Sequence, residues 1–166
     1  MASYVEPKFF ENDYIAVQRI RNPKLKIRIV ATIISSGEEY YASSGLTSII
    51  LLNKNFSLKY LLTLFNSKLM NWYYKQFFTD VNIKPEDLRQ LPIKNISLKN
   101  QQPFIKLADK MLSLNKKLQE IGDKNTLEKQ KIQEEIKKTD NEIDELVYQL
   151  YGITEEEKKI IEGSLK

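Results

Sequence analysis

The stretch at residues 61–93, LLTLFNSKLMNWYYKQFFTDVNIKPEDLRQLPI, decides how the rest of this chain is read. Leu58, Leu61, Leu62, Phe65, Leu69, Trp72, Tyr73 and Phe77 recur three and four apart, which places them on one face of a helix. Ser57 stands where an N-cap belongs, its hydroxyl able to accept from the free amides of the first turn. Leu91-Pro92 must stop regular structure, and Pro85-Glu86-Asp87-Leu88 starts a helical turn with proline where a missing amide hydrogen does no harm. A face this wide and aromatic has to be covered. Because the sequence before it reads as strands, the helix is expected to lie across a sheet, its stripe serving as core and not as a cofactor box.

Composition removes several function classes. The 166 residues suit one domain, or a compact domain with an extension. There is no cysteine and no histidine, so disulfides, thiolate or imidazole metal sites, catalytic cysteine and imidazole-based triads are all out of reach. No apolar run attains the roughly 18 to 20 residues of a membrane span. Neither a signal peptide nor a transit peptide is legible in the Met-Ala-Ser start. A cytoplasmic home is expected, with no membrane partner. Net charge is +4 and unevenly placed: residues 1–100 carry a basic excess of 6, residues 101–166 an acidic excess of 2. The first part is therefore the one expected to meet an anionic partner, although solubility alone would also account for so modest a bias.

Upstream of the helix, residues 14–17 begin a strand that Gln18 to Arg21 continue, and Asn22-Pro23 marks a turn. From Lys24 to Ile34 a second strand opens with strict alternation. Lys24, Lys26 and Arg28 fall on one face, Leu25, Ile27 and Ile29 on the other. With Arg19 and Arg21 this makes five cations near one turn, and no Asp or Glu stands between residues 14 and 37. Alternation alone would equally mark a solvated strand face; the single sign favours an anionic partner. After the loop at residues 35–39, Tyr40, Tyr41, Ser43 and Ser44 offer phenols and hydroxyls beside Gly45, groups able to donate to phosphate or reach base edges. Residues 47–52 read as a further strand, buried on both faces because its apolar run is nearly continuous.

Past a polar linker the period changes. Phe104, Leu107, Met111, Leu114, Leu118 and Ile121 form a heptad seam from Pro103 on; Gly122 interrupts it. Ile132, Ile136, Thr139, Ile143, Leu146 and Leu150 form a second seam on a helix of about 40 Å at about 1.5 Å per residue. The two read as an antiparallel, coiled-coil-like hairpin. Gly152 caps the second helix, and Thr154 with Glu157 spells a capping box for a short last one. The fold class is thus α+β: a small mixed sheet covered by a helix, then a long helical hairpin, divided as residues 1–100 and 101–166. The hairpin either packs only on itself or offers a docking surface.

Catalytic chemistry is hard to place. The five glycines stand singly at 37, 45, 122, 152 and 163, with no phosphate-cradling loop, and Glu86-Asp87 lacks the acid-x-Lys strand of a nuclease motif. No catalytic, metal or cofactor residues are assigned.

Several phrases in order resemble the TaqI-like C-terminal specificity domain. They are Val17-Gln18-Arg19-Ile20-Arg21-Asn22 with the basic stretch after it, Tyr41-Ala42-Ser43-Ser44-Gly45, Tyr60-Leu61-Leu62 through Leu64-Phe65-Asn66-Ser67-Lys68-Leu69 with Trp72-Tyr73-Tyr74, Asp87-Leu88, Leu91-Pro92-Ile93, and Ile143-Asp144-Glu145-Leu146-Val147-Tyr148 with Leu150-Tyr151-Gly152-Ile153. The resemblance implies the target-recognition part of a DNA adenine methyltransferase or a fused restriction-modification enzyme, related to type I specificity subunits. It implies double-stranded DNA as a partner, and a methyltransferase or nuclease domain in the same polypeptide or a separate subunit. On that view the chain is an excised C-terminal portion, itself non-catalytic and without a cofactor. Arg19, Arg21, Lys24, Lys26 and Arg28 are the expected phosphate or guanine contacts, with Tyr40, Tyr41, Ser43 and Ser44 supplying finer ones. The alternative is a protein–protein scaffold acting through the hairpin.

Overall fold

A computed structural model describes residues 12–36, 45–123 and 126–165. Three antiparallel strands form one sheet in the order β2-β1-β3: β1 Tyr14–Gln18, β2 Ala31–Ile34 and β3 Leu46–Ile49. Ile15 faces Ile33 on one side and Ile49 on the other, and Val17 faces Ala31 and Thr47. Since side chains alternate along a strand, these residues share one face, and Ile15 and Val17 are fully buried in the core. Leu46 and Ser48 are exposed and Thr47 is buried, so β3, which ends the sheet among the described residues, is half-exposed. The expected strand at residues 47–52, buried on both faces, is therefore corrected: β3 ends at Ile49, its side chains alternate between exposed and covered positions, and Leu52 beyond it is 90% exposed.

The expected covering helix is present as two. α1 Leu58–Asn66 and α2 Lys68–Phe77 meet at Ser67, which caps both. Its amide donates back to the Leu64 carbonyl at 3.1 Å, its hydroxyl donates to the same carbonyl at 2.7 Å, and its Oγ accepts from the Met70 amide at 3.3 Å. One extended residue thus satisfies groups that two helix ends would leave orphaned. Ser57 caps α1 as read, accepting from Lys59 N at 3.2 Å. Tyr60 and Leu64 of α1 join the buried stripe, and past the bend Met70 and Tyr74 of α2 are fully buried while Phe77 is 64% exposed.

α3 Pro85–Leu88 is the single turn anticipated, followed by α4 Leu98–Ile121 and α5 Leu127–Tyr151 as a packed pair and α6 Glu155–Ser164. α4 starts at the Ser97 cap, before Pro103. Proline here lies inside the helix and leaves one carbonyl of the first turn without its amide partner. Gly152 adopts φ +70°, closing α5 with Gly152 N to Gln149 O at 3.2 Å and Ile153 N to Tyr148 O at 2.9 Å. Thr154 and Glu157 exchange the two bonds of a capping box at the start of α6.

Apolar packing crosses the whole chain. Phe104 of α4 meets Tyr60 of α1 edge-on at 5.1 Å, and Ile143, Val147 and Tyr148 of α5 belong to the same buried cluster as Ile15 and Tyr60. Polar anchors fix the register. Gln101 is fully buried, its Oε1 accepting from Ser57 N at 2.8 Å and its Nε2 donating to Asn55 O at 2.7 Å. Asp144 of α5 accepts from the first amide of α2, Lys68 N, at 2.8 Å and pairs with Lys68 Nζ at 3.0 Å. An acidic group at a helix N-terminus is where the macrodipole favours it. Burial nonetheless raises the Asp144 pKa, because this carboxylate lies deeper than the partly exposed ammonium that offsets it. The Lys68 pKa is pulled down by its own burial but raised on balance by Asp144 and Glu162. No helix of the described residues is long and apolar enough to cross a membrane.

Candidate nucleic-acid interface

The basic segment between β1 and β2 is not the strand its alternation suggested. β2 begins only at Ala31, and residues 22–26 form a turn, with Lys24 N bonded to Asn22 Oδ1 at 2.9 Å and Leu25 N to Asn22 O at 3.0 Å. The asparagine side chain offers the backbone a local partner, and that competes with a sheet ladder. Residues 24–30 form a loop that turns away from β1 and returns along it, so Lys24, Lys26 and Arg28 do not share a strand face.

Each cation of this loop has a different position. Arg19 is exposed, while its backbone is held from both sides: its amide donates to Gly45 O at 2.8 Å and its carbonyl accepts from Ile83 N at 2.7 Å. Arg21 works across the loop, its Nε and Nη2 donating to Ile27 O at 3.2 and 3.0 Å and its Nη1 to Gln18 Oε1 at 2.7 Å. Lys24 and Lys26 project from the turn into solvent. Arg28 is the correction. Only 1% of it is exposed; Nη2 donates to Asp80 O at 2.5 Å and the guanidinium lies 5.5 Å over the Tyr74 ring. Burial lowers its pKa. Tyr40, Tyr41, Ser43 and Ser44 lie outside the described residues.

Two asparagines at the α1–α2 junction hold the loop, and sequence reading gave neither of them a role. Asn71, fully buried, accepts on Oδ1 from the amides of Arg28 and Ile29, each at 2.7 Å, while its Nδ2 donates to Ser67 O at 3.1 Å. Asn66 accepts from Ala31 N at 2.9 Å and donates to Ala31 O at 3.0 Å. Side-chain amides here stand in for a neighbouring strand, giving the backbone at residues 28–31 the bonds it cannot leave unmade when buried. The available signal was two asparagines flanking a capping serine inside an otherwise apolar stripe.

A cleft of about 710 Å³ opens beside the loop, between β2, α1, α4 and α5; Lys26 and Ile27 stand at its edge, with Leu62, Met111, Ile143 and Asp140 among its walls. Among the described residues, no group of three or more His, Cys, Asp or Glu is placed to hold a metal ion. What the arrangement offers is a solvent-facing cationic edge made by Arg19, Lys24 and Lys26, on a backbone fixed by buried polar bonds. Such an edge suits a polyanion.

Residues 4–93 match the family model of the TaqI-like C-terminal specificity domain, more than half of the chain. The chain belongs to that family. No curated protein and no solved structure matches it. A specificity domain of this family points to target recognition in restriction-modification systems, and the basic loop, its clamps and the helix junction all fall inside the matched residues.

Proposed function

We propose that this chain reads a sequence in duplex DNA on behalf of an adenine methyltransferase, with or without a nuclease. That partner would sit elsewhere in the same polypeptide or in a separate subunit, and the chain itself would be non-catalytic, cofactor-free and cytoplasmic. Residues 1–100 carry recognition in this reading, and residues 101–166 carry the hairpin that sets spacing. The observation that supports it most is the exposed, single-signed edge of Arg19, Lys24 and Lys26 in a chain of this family.

In mechanism, Lys24 and Lys26 neutralise phosphates and release counterions, while Arg19 is rigid enough at its backbone to donate to a phosphate or to guanine. Arg21 shapes the loop. Tyr40, Tyr41, Ser43 and Ser44 supply finer contacts. Reversing Arg19, Lys24 and Lys26 together to glutamate should abolish duplex binding at moderate salt. Unchanged affinity in that variant, measured by fluorescence anisotropy, removes this edge as the interface.

A second reading, a protein–protein scaffold, draws on the outer side of the hairpin. A shallow groove of about 870 Å³ there has Leu107 and Leu146 at its base and Lys106, Lys137, Glu142 and Glu145 on its rims. It predicts concentration-dependent association in sedimentation and no salt-dependent duplex binding.

A further inference from the structure

Arg28 presents a problem that the phosphate-binding reading does not absorb. A guanidinium carries five N–H donors and a charge that cannot be shed, yet this one is sealed from water. It has one carbonyl acceptor at 2.5 Å, its Nε has no hydrogen-bond partner, and no carboxylate lies within ion-pairing distance among the described residues. An apolar side chain of similar volume would fill the space at lower cost. The cation is explained by what it holds.

Its contacts close a ring. Arg28 donates to the Asp80 carbonyl; the Asp80 carboxylate pairs with Lys84 Nζ at 2.6 Å. Lys84 N meets Asp87 Oδ2 at 3.4 Å, Tyr74 OH donates to that same oxygen at 3.1 Å, and the Tyr74 ring lies under the guanidinium. This ring fixes residues 80–84, which run antiparallel to residues 19–21. Ile83 N donates to Arg19 O at 2.7 Å, Arg21 N to Val81 O at 3.2 Å, and Ile20 bridges Asn82. The backbone that carries Arg19 is thus seated on a segment that Arg28 holds down. Asn71 locks the Arg28 amide from the opposite side.

We propose that Arg28 is a positioning residue: its buried guanidinium braces residues 80–84 under residues 19–21 and sets how Arg19 is presented, without touching nucleic acid. The inference rests on the DNA-recognition reading and deepens it. A brace acts on discrimination between sequences, because base contacts depend on placement to a fraction of an ångström whereas phosphate attraction does not. A direct phosphate contact acts on every duplex alike and releases a counterion.

The test compares the full chain with Arg28→Met on two duplexes, one carrying a sequence selected by the wild type and one scrambled, across a salt series. The brace predicts a melting temperature near that of the wild type, an unchanged salt slope, and a selected-to-scrambled affinity ratio at least tenfold lower. A slope smaller by about 0.9 with equal weakening on both duplexes would make Arg28 a phosphate contact and overturn the proposal. So would an unchanged ratio. Should Arg28→Met not fold, Arg28→Lys serves: it keeps the charge but loses the planar stack on Tyr74, so a brace loses the ratio and a phosphate contact keeps it. If the wild type binds no duplex at any salt, the DNA reading itself has failed. The brace is then judged by hydrogen exchange at the Ile83 amide: faster exchange in Arg28→Met supports it, and unchanged exchange overturns it.

Discussion

Replacing Asn71 with alanine isolates the clamp on which the basic loop depends. Asn71 Oδ1 is the acceptor for two amides, Arg28 N and Ile29 N, each at 2.7 Å, in residues that are 1% and 0% exposed. Truncation leaves both donors buried and unpaired. Each such group costs about 1–3 kcal/mol, which gives about 2–6 kcal/mol in all, a large part of the roughly 5–15 kcal/mol that a domain possesses. Asn66→Ala is the internal control. It frees one amide and one carbonyl of Ala31, which is only half-buried, so water can replace the lost partner and the cost falls to about 1 kcal/mol. Urea unfolding followed by circular dichroism measures both, with the slope of the transition expected to stay constant and the midpoint to move. A loss below about 0.5 kcal/mol for Asn71→Ala would mean that the buried amides find other partners, and equal losses for the two variants would mean that burial does not set the cost; either result would refute the reasoning.

Other outcomes follow from the same physics. Gly152→Ala forces an L side chain to φ +70° in open space, so the strain is purely backbone; a loss of about 1 kcal/mol in thermal melts is expected, and a neutral result would argue against the αL cap. Asp144→Asn tests burial of the carboxylate. The folded-state pKa is raised, so the stability that this group contributes is fully present below its unfolded value and lost as pH rises through its folded value. The wild type should therefore gain on Asp144→Asn as pH falls from about 6 to about 4 in paired denaturation curves; a gap that widens in the other direction would show that the Lys68 pair outweighs burial. Mutating Lys24 and Lys26 to alanine should flatten the salt dependence of duplex binding by about 0.9 for each phosphate no longer neutralised, whereas an unchanged slope places the phosphates elsewhere.

The parts of the fold governed by local chemistry were legible. Ser57, Gly152 and the Thr154–Glu157 box each act within a few residues of themselves, and each cap is formed as the sequence implied. The two seams of the hairpin could be read for the same reason: their period is local even though their packing is not. The break at Ser67 was hidden because the apolar period runs through it, and nothing in a periodicity count distinguishes a serine inside a helix from one that caps two. Arg28 was misplaced for a different reason. Alternation at residues 24–29 is indifferent to whether a strand exists, and the residues that decide it, Asn71 and Tyr74, stand more than forty positions away. Tertiary partners overrode a local pattern there. The same distance conceals why Asn66, Asn71 and Gln101 are polar: each looks like an exception in an amphipathic helix until the backbone it serves is beside it.

That the cationic edge belongs to a domain recognising a DNA sequence is tested most directly by selection from a randomised duplex pool at about 100 mM salt. The predicted result is a short shared motif among the bound duplexes, and loss of that enrichment when Arg19, Lys24 and Lys26 are reversed in charge. A chain that retains no duplex even at low salt, while associating through its hairpin, would contradict it.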